Sequence, residues 1–207
     1  MAKPTRIPLF PLEVVLLPSM ALPLHIFEPR YKLMVGHCLE ESIEFGVILA
    51  AEKGLAHVGC TAEIAQKLKN LPDGRMDIMT EGRTVFSLLE LLEEKEYYEA
   101  MVEYRAEDAA PIDSRREARL TQMFEQAHLL LSGQRWVVAN TDIEISLAYR
   151  MAARLPLELT EKQELLEMRA EDGRQDFLLR WLAAFLPKLE RRVRIRGRAG
   201  GNGHGLN

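Results

Sequence analysis

Short apolar runs separated by prolines dominate the N-terminal part of the chain. Proline has no N–H to donate and holds φ at about −65°, so no long helix can pass through this stretch. The prolines that interrupt the run between Ile7 and Phe27 are Pro8, Pro11, Pro18 and Pro23. The pattern predicts short extended pieces joined by bends, with prolines at strand ends or edges. Val14–Leu17 is the best candidate for a central strand, and Leu22–Phe27 is the next.

A helix is predicted for residues 29–41, directly after these extended pieces. Proline suits the first position of a helix and an acidic residue suits its positive end, which matches the pair Glu28-Pro29. The apolar residues that follow recur at helical spacing: Tyr31, Met34, Val35, Cys38 and Leu39.

Strands are predicted for most of the chain between residues 45 and 105. The apolar run Phe45–Ala50 is typical of a strand buried on both faces, whereas His57–Ile64 alternates between apolar and polar residues. Asp73-Gly74 is predicted to be a hairpin tip that leads to a strand at Met76–Thr80. Three features follow it: a break or bulge at Gly82, an ambiguous stretch over Thr84–Leu92, and a final strand over Glu99–Arg105.

Beyond residue 107 the strand patterns disappear and helix signals recur. Four helices are predicted here. The last of them follows Gly173 and should end near Pro187, because the apolar residues between these two positions recur at helical spacing. Three further helices are predicted from capping pairs, each a cap residue with Glu or Gln three positions later: Ser114 with Glu117, Thr141 with Glu144, and Thr160 with Gln163.

The order of strands first and helices second is typical of an α+β fold with two sub-domains. The sequence predicts a β-rich sub-domain over residues 1–108, with one helix near 29–41, and a helical sub-domain over residues 109–190. Residues 191–207 are rich in arginine and glycine and are predicted to form a basic, disordered tail.

The charge is distributed unevenly along the chain. The net charge is −4 and residues 191–207 hold five arginines and no acid, so residues 1–190 carry −9, which is −4 less +5. A body this acidic is a poor general nucleic-acid binder, because phosphate contacts need a basic face. The tail itself could touch nucleic acid or an acidic partner, although a solvated end is the preferred interpretation.

Cysteine usage and hydropathy predict a cytoplasmic protein. Cys38 and Cys60 match no disulfide or zinc framework, which fits a reducing compartment. No window of the sequence reaches the roughly 18 uninterrupted apolar residues of a membrane span. Glu13 and the prolines interrupt the apolar N-terminus, which is therefore not expected to be a signal peptide. No membrane contact is expected.

No motif in the sequence predicts a catalytic, metal or cofactor site. Gly54–Thr61 has the glycine spacing of a phosphate-binding loop, but Cys60 stands where the lysine must be and a strand pattern follows. His25 and Glu28 would point to opposite faces of a strand, so they are not expected to bind a metal. Cys38 lies on the apolar face of the predicted helix, where core packing is favoured over nucleophilic work.

Several segments are together similar to the N-terminal, substrate-binding domain of Lon proteases. The most specific of them is the block His25-Ile-Phe-Glu-Pro-Arg-Tyr31. The resemblance covers roughly residues 5–187 and extends through Ile7–Leu12, Val14–Pro18, Leu22–Leu24, Phe45–Leu49, Val58–Ile64, Leu71–Arg75, Glu81–Arg83 with Phe86, Ala153–Leu157 and Lys162–Glu167.

The resemblance implies an α+β fold in which a small, PUA-like β-barrel precedes a helical bundle. Full-length Lon proteases add an ATPase module and a serine–lysine protease domain. This sequence has neither the Walker A lysine nor the Lon protease signature, so their catalytic residues have no counterparts here. The chain is therefore expected not to be an enzyme and to need no cofactor.

For function, the resemblance implies a protein- or peptide-binding module that holds or delivers polypeptides. The implied partners are polypeptide segments or a protease or chaperone, and a homo-oligomer is compatible with it. The expected surface is the groove between barrel and helices, or an open barrel edge that accepts a strand. Two alternatives stay open: a small-molecule or nucleotide-derivative binder that uses a barrel pocket, and, more weakly, RNA binding.

The most specific block contains the five candidate site residues: His25, Phe27, Glu28, Arg30 and Tyr31. They either belong to a binding surface or hold the strand–helix corner together, and the structural role is preferred. In that role Glu28 is expected to accept backbone N–H bonds at the helix start, and Arg30 to pair with a nearby carboxylate.

Overall fold

The computed structural model describes residues 5–52, 54–106, 108, 113–136 and 145–201. The strands in this part of the chain are β1 (Arg6–Leu12), β2 (Ala21–Ile26), β3 (Phe45–Ala51), β4 (Gly54–Leu55), β5 (Val58–Asn70), β6 (Met76–Leu92) and β7 (Glu99–Tyr104). The helices are α1 (Pro29–Glu41), α2 (Ser114–Ser132), α3 (Leu147–Ala152), α4 (Leu159–Glu167) and α5 (Glu171–Gly201). The predicted order of strands first and helices second is confirmed.

Five of the described strands pair into a closed ring. Their order is β1-β7-β6-β5-β3, and β3 pairs again with β1. The β1–β3 pair is parallel and aligns Leu9 with Gly46, whereas the other pairs of the ring are antiparallel. β2 pairs with β6, and the short β4 pairs with β3. Closure gives every strand of the ring a partner on each side.

Phe86 fills much of the space inside the ring. Its side chain packs in a cluster with five other buried residues: Ile7, Leu9, Ile48, Ala100 and Val102. A Cβ atom on Gly59 would lie 2.5 Å from Phe86 Cζ, and one on Gly46 would lie 2.9 Å from the same atom. Both positions need glycine because the aromatic ring occupies the room that a side chain would take. The cluster therefore occupies the interior of the ring, where the alternative of a small-molecule binder would place its pocket.

Helix α1 has the predicted bounds and covers the outer face of the ring. Tyr31 stacks on Phe10 of β1 with ring centroids 4.0 Å apart. Met34, Val35 and Cys38, which belong to the predicted apolar stripe, are buried in the same core. The helical spacing of apolar residues thus marked the face that packs on the strands.

The predicted central strand at Val14–Leu17 is wrong. These residues form an irregular segment between β1 and β2, yet Val15, Leu16 and Leu17 are all buried. The backbone of Leu17 crosses β6 at Gly82, where a Cβ atom would clash with the Leu17 carbonyl oxygen. The apolar side chains here are explained by core burial without strand pairing.

The hairpin tip predicted at Asp73-Gly74 is confirmed, and it joins β5 to β6. Gly74 has a φ of 79°, which lies in the left-handed region that favours glycine. The Asp73 carboxylate accepts the backbone N–H of Arg75 at 3.1 Å, which closes the turn. The tip therefore combines a glycine backbone conformation with a local side-chain bond.

Strand β6 continues through Gly82 and includes the ambiguous stretch Thr84–Leu92. The register between β5 and β6 shifts between Cys60 and Ala62, opposite Gly82. Of the two possibilities predicted for this glycine, the chain has the bulge and not the break. The strand predicted from alternation over Glu99–Arg105 corresponds to β7, and the alternating stretch His57–Ile64 corresponds to the first part of β5. The apolar runs Leu22–Phe27 and Phe45–Ala50 correspond to β2 and β3.

Helices α2 and α3 begin at caps other than the predicted ones. Asp113 accepts backbone N–H bonds from the first turn of α2, in place of Ser114. Gly133 ends α2 with a φ of 72°, in the left-handed region that favours glycine at a helix end. The hydroxyl of Ser146 caps α3. The capping pair predicted at Thr141 with Glu144 lies outside the described residues.

Helix α4 begins one residue before the predicted cap Thr160. The Glu161 carboxylate accepts the backbone N–H of Glu158 at 2.7 Å, so the capping pair is shifted by two positions. The predicted cap partner Gln163 instead donates from Nε2 to the carbonyl oxygen of Val58 in β5 at 3.2 Å. This bond joins the helical part to the ring.

Helix α5 is longer than predicted. It begins at Glu171, passes through Pro187 and continues to Gly201. Leu186 and Leu189 are buried on either side of the proline, so core packing offsets the lost backbone hydrogen bond. Residues 191–201 continue this helix, and arginine, a good helix former, recurs among them. The disordered tail expected over residues 191–207 stays a prediction, and residues 202–207 lie outside the described part. No described helix, α5 included, has the length and apolar content to cross a membrane.

One hydrophobic cluster joins the outer face of the ring to the helices. It contains Met34 of α1 and Val47 of β3 together with Leu120 of α2, Leu165 of α4 and Leu178 of α5. This shared core crosses the predicted boundary near residue 108, so the division into two sub-domains stays a prediction.

Candidate binding cleft between strands and helices

His25 and Phe27 lie at the exposed end of β2. The Nδ1 atom of His25 is 2.5 Å from Oδ1 of Asp77, its cross-strand neighbour on β6. The imidazole stacks on the Phe27 ring with centroids 5.9 Å apart, and Phe27 is 58% exposed. Both side chains are accessible to a partner from solvent.

Glu28, Arg30 and Tyr31 hold the corner where β2 leads into α1. The Nε–H of Arg30 donates to Glu28 Oε2 at 2.9 Å, as the expected carboxylate pairing requires. The Arg30 guanidinium also lies over the Tyr31 ring, 4.5 Å from its centroid. The capping role expected of Glu28 is wrong, because its side chain bonds to Arg30 and makes no bond to the first turn of α1. A binding role for the five residues of this block stays a prediction.

The described side chains offer neither a reactive thiol nor a metal cluster. Burial raises the pKa of the Cys38 thiol to about 12, so the thiol stays protonated and unreactive. Cys60 is buried as well. Within the described ranges, no three or more His, Cys, Asp or Glu residues are placed to hold a metal ion.

A cleft of about 200 Å³ lies where β6 and the end of β7 meet α3, α4 and the start of α5. Val85 of β6, Tyr149 of α3 and Leu166 of α4 form its apolar part. No Asp or Glu side chain lines it among the residues that the structure describes. Its polar part is dominated by four arginines: Arg83, Arg105, Arg169 and Arg174.

Two of these arginines are neutralised by carboxylates. Arg83 Nε lies 2.7 Å from Oε2 of Glu63 on β5. Arg174 is 1% exposed, and its Nη2 lies 3.0 Å from Oε2 of Glu171 at the start of α5. These two side chains support the walls of the cleft, since their charges are already compensated.

The other two arginines, Arg105 and Arg169, form no ion pair with a described carboxylate. Nη2 of Arg105 donates to the carbonyl oxygen of Glu167 at 2.9 Å, which fixes the guanidinium against α4. The Nη1 atom of Arg105 is buried and has no acceptor in the described part of the chain. Arg169 is exposed and forms no ion pair with a described residue. The cleft therefore combines an apolar floor with two cations that no described carboxylate neutralises.

The sequence that forms this ring and these helices matches a known protein family. The family described as "ATP-dependent protease La (LON) substrate-binding domain" matches residues 6–184. The chain belongs to the Lon substrate-binding domain family. The match is to the substrate-binding domain, and the catalytic domains of Lon proteases are not part of it.

Curated Lon proteases are similar over nearly the whole chain. Lon protease of Escherichia coli strain K12 is 30% identical over 93% of this chain and 26% of its own length. Lon protease of Vibrio parahaemolyticus gives the same identity and the same coverage of both chains. This chain thus spans about a quarter of the length of the curated relatives it matches.

Solved Lon domains share the fold. A Lon N-terminal domain protein from Xanthomonas campestris superposes with a TM-score of 0.67 at 25% identity, covering 86% of this chain and 98% of that one. The N-terminal domain of Mycobacterium avium complex Lon protease has a TM-score of 0.62 at 16% identity, with the same coverage of both chains. The mixed sheet and helices described above are the Lon N-terminal domain fold.

Sequence patterns did not single out the arginines of the cleft. They come from three separate parts of the chain, so no local spacing connects all four. Arg83 belongs to the Lon-like segment Glu81-Gly-Arg83, which was the one available signal. Arg105, Arg169 and Arg174 had none, because their meeting depends on how α4 and α5 pack on β6 and β7.

Proposed function

We propose that this chain binds unfolded polypeptide segments in the cleft between strands and helices, and that it catalyses no reaction itself. The observation that carries the proposal is the match of residues 6–184 to a substrate-binding domain. A separate protease or chaperone would receive the bound polypeptide. We also propose that the closed ring belongs to the PUA-like barrels, on the basis of its five strands and the parallel β1–β3 closure.

The composition of the cleft supports polypeptide binding. Leu166 and Tyr149 provide an apolar floor for a side chain, and the arginines at the rim provide donors for peptide carbonyl or carboxylate oxygens. The volume of about 200 Å³ suits one or two side chains and is below the roughly 300–1,000 Å³ of sites that enclose a small ligand. An extended segment would thus place part of its length in the cleft and the rest along the surface.

Binding can be measured with short fluorescein-labelled peptides that tile an unfolded reporter protein. Ala106 lines the cleft and is exposed, so Ala106→Trp should fill the cleft without disturbing the core. We expect a subset of peptides to bind the wild-type chain and to lose at least about tenfold in affinity with A106W, which is about 1.4 kcal/mol.

The matched control is Ala118→Trp, which introduces the same side chain at an exposed position of α2 outside the cleft. This variant should bind peptides as the wild type does. The proposal would be overturned if no peptide bound to the wild-type chain, or if A106W and A118W bound equally well.

A further inference from the structure

We infer that the cleft recognises a carboxylate group of the bound polypeptide, and that Arg105 and Arg169 are the residues that bind it. The inference rests on the proposed function, since it names the chemistry of the ligand for the same cleft. The carboxylate can belong to an aspartate or glutamate side chain or to the C-terminus of the polypeptide, because both present the same planar pair of oxygens.

Arg105 is held in place but incompletely bonded. Its backbone N–H donates to the carbonyl oxygen of Val85 at 3.0 Å, and its Nη2 donates to that of Glu167 at 2.9 Å. The guanidinium is therefore fixed between β6 and α4, while its Nη1 atom has no acceptor among the described residues. Buried charged donors usually have partners, and a ligand carboxylate would supply the missing acceptor.

Arg169 provides the accessible half of the site. Its backbone carbonyl oxygen accepts the N–H of Asp108 at 3.3 Å, which ties the α4–α5 connection to the chain that follows β7. Its side chain is exposed and makes no ion pair within the described ranges. The exposed side chain of Arg169 suits the first capture of an anion from solvent. The fixed guanidinium of Arg105 then suits bidentate binding of the same anion.

Two carboxylates that pair with lining residues of the cleft are already engaged. Glu63 holds Arg83, and Glu171 holds Arg174 and also accepts the backbone N–H of Ala148. None of the ion pairs found among the described residues involves Arg105 or Arg169. The two arginines thus offer a ligand two cations that are not paired within this part of the chain.

The surroundings of the cleft favour a single carboxylate over a nucleic acid. Residues 1–190 carry a charge of −9, so the arginines form a small basic site on an acidic body. A polyphosphate chain would meet repulsion along most of its length, whereas one carboxylate of a peptide needs only the local pair of cations. The apolar floor beside the arginines accepts a neighbouring peptide side chain.

The test starts from a tile peptide that binds the full-length wild-type chain. Three versions are compared by fluorescence anisotropy: the parent, one with Asp and Glu replaced by Asn and Gln, and one with an amidated C-terminus. We expect one of the two changes to weaken binding by roughly ten- to a hundredfold. The change that does so identifies the source of the carboxylate.

The protein variants locate the binding residues. Arg169→Gln removes an exposed, unpaired side chain and should leave the melting temperature unchanged while it lowers affinity for the parent peptide. Arg105→Gln should lower affinity further, and Arg105→Lys should recover only part of it because lysine lacks the planar fork. Arg119→Gln, an exposed arginine of α2 outside the cleft, is the matched control and should bind as the wild type does.

The outcomes separate this inference from the proposed function. If no peptide binds, the proposed function fails. If all three peptide versions bind equally, or if R169Q and R119Q behave alike, polypeptide binding stands and the carboxylate inference is wrong. If a single-stranded RNA oligonucleotide binds more tightly than the parent peptide, with a steep loss in salt that R169Q abolishes, the occupant is a nucleic acid and the inference is also wrong.

Discussion

Gly59 and Gly46 face Phe86 from two different strands of the ring, but the two positions differ in what surrounds them. A Cβ atom on Gly59 would lie 2.6 Å from the carbonyl oxygen of Val47, so relief would require backbone movement. At Gly46 the nearest atoms all belong to side chains, which can shift by a few tenths of an ångström. Gly59 is therefore the more restrictive of the two.

We predict that Gly59→Ala lowers the free energy of unfolding by about 1–3 kcal/mol, because the new methyl group overpacks the ring interior. Urea denaturation followed by circular dichroism measures this change. Gly36→Ala in α1 is the matched control, since no atom lies within 4 Å of its new Cβ. Because alanine is a better helix former than glycine, G36A should raise the free energy of unfolding by about 0.5–1 kcal/mol. Equal effects of G59A and G36A would contradict the packing described for Phe86.

The contacts of individual residues could be predicted from the sequence only where the residues are close together in the chain. The block His25–Tyr31 was recognisable because its residues are adjacent in the chain. Its expected contacts were half correct: Arg30 pairs with a carboxylate, and Glu28, which supplies that carboxylate, does not cap α1. Whether Arg105 or Arg169 keeps a free charge depends on neighbours from distant segments, and a single sequence does not contain that information.

Among the elements, β1 and β7 are joined by a charged network beside their backbone pairing. Glu99 of β7 is 6% exposed and accepts hydrogen bonds from Arg6 of β1 at 2.6 Å and from Lys95 at 3.0 Å. Burial alone would raise the pKa of Glu99. The hydrogen bonds from Arg6 and Lys95 outweigh it and hold the pKa below its usual range.

A lowered pKa in the folded state predicts how stability depends on pH. The ionised Glu99 contributes stability above the pKa that it has in the unfolded chain, about 4.5, and this contribution is lost as the pH falls through the lower folded pKa. Glu99→Gln should reduce the free energy of unfolding at neutral pH by about 1–3 kcal/mol and flatten its decline in acid. Urea midpoints across the acid range measure both effects.

Glu103→Gln provides the control for this pH dependence. Glu103 is an exposed residue of the same strand, so its substitution should leave both the neutral stability and the acid decline close to those of the wild type. An acid decline in E99Q as steep as that of the wild type would contradict a stabilising role for the network.

The predictions for whole elements succeeded where a pattern has one structural cause. Alternation predicted β7 and the first part of β5, and helical spacing after the pair Glu28-Pro29 predicted α1. Val14–Leu17 failed because apolar residues are needed in any buried segment, with or without strand pairing. The end of α5 failed because Pro187 weakens a helix locally, whereas burial of Leu186 and Leu189 stabilises it through tertiary packing.

At the scale of the whole molecule, the ring and the helices share one hydrophobic cluster and several polar contacts. Gln163 of α4 bonds to Val58 of β5, and the indole N–H of Trp181 in α5 donates to Glu161 of α4 at 2.9 Å. Leu166 is 1% exposed within the shared cluster. Packing of this kind should make the ring and helices unfold together.

We predict that Leu166→Ala lowers the free energy of unfolding by about 2–4 kcal/mol and that the loss extends to the strands. Hydrogen exchange should increase by the same factor in β5, β6 and α5, because a shared core opens as one unit. Leu159→Ala, at a 40% exposed position of α4, is the control and should change exchange little. Faster exchange confined to the helices would contradict a single cooperative unit.

Closure of the ring through β1 also has a consequence for synthesis of the chain on the ribosome. Ile7 of β1 pairs with Ala100 of β7. The first strand of the ring to be synthesised therefore lacks this partner until the last strand of the ring has been synthesised. During that interval β1 can pair with β3 on one side, but its other edge is open, and open apolar edges invite pairing with neighbouring nascent chains. Pro8 and Pro11 have no N–H to offer to such a pairing. We therefore expect the prolines to reduce aggregation of the unfinished chain, while the native pairing of β1 accommodates them.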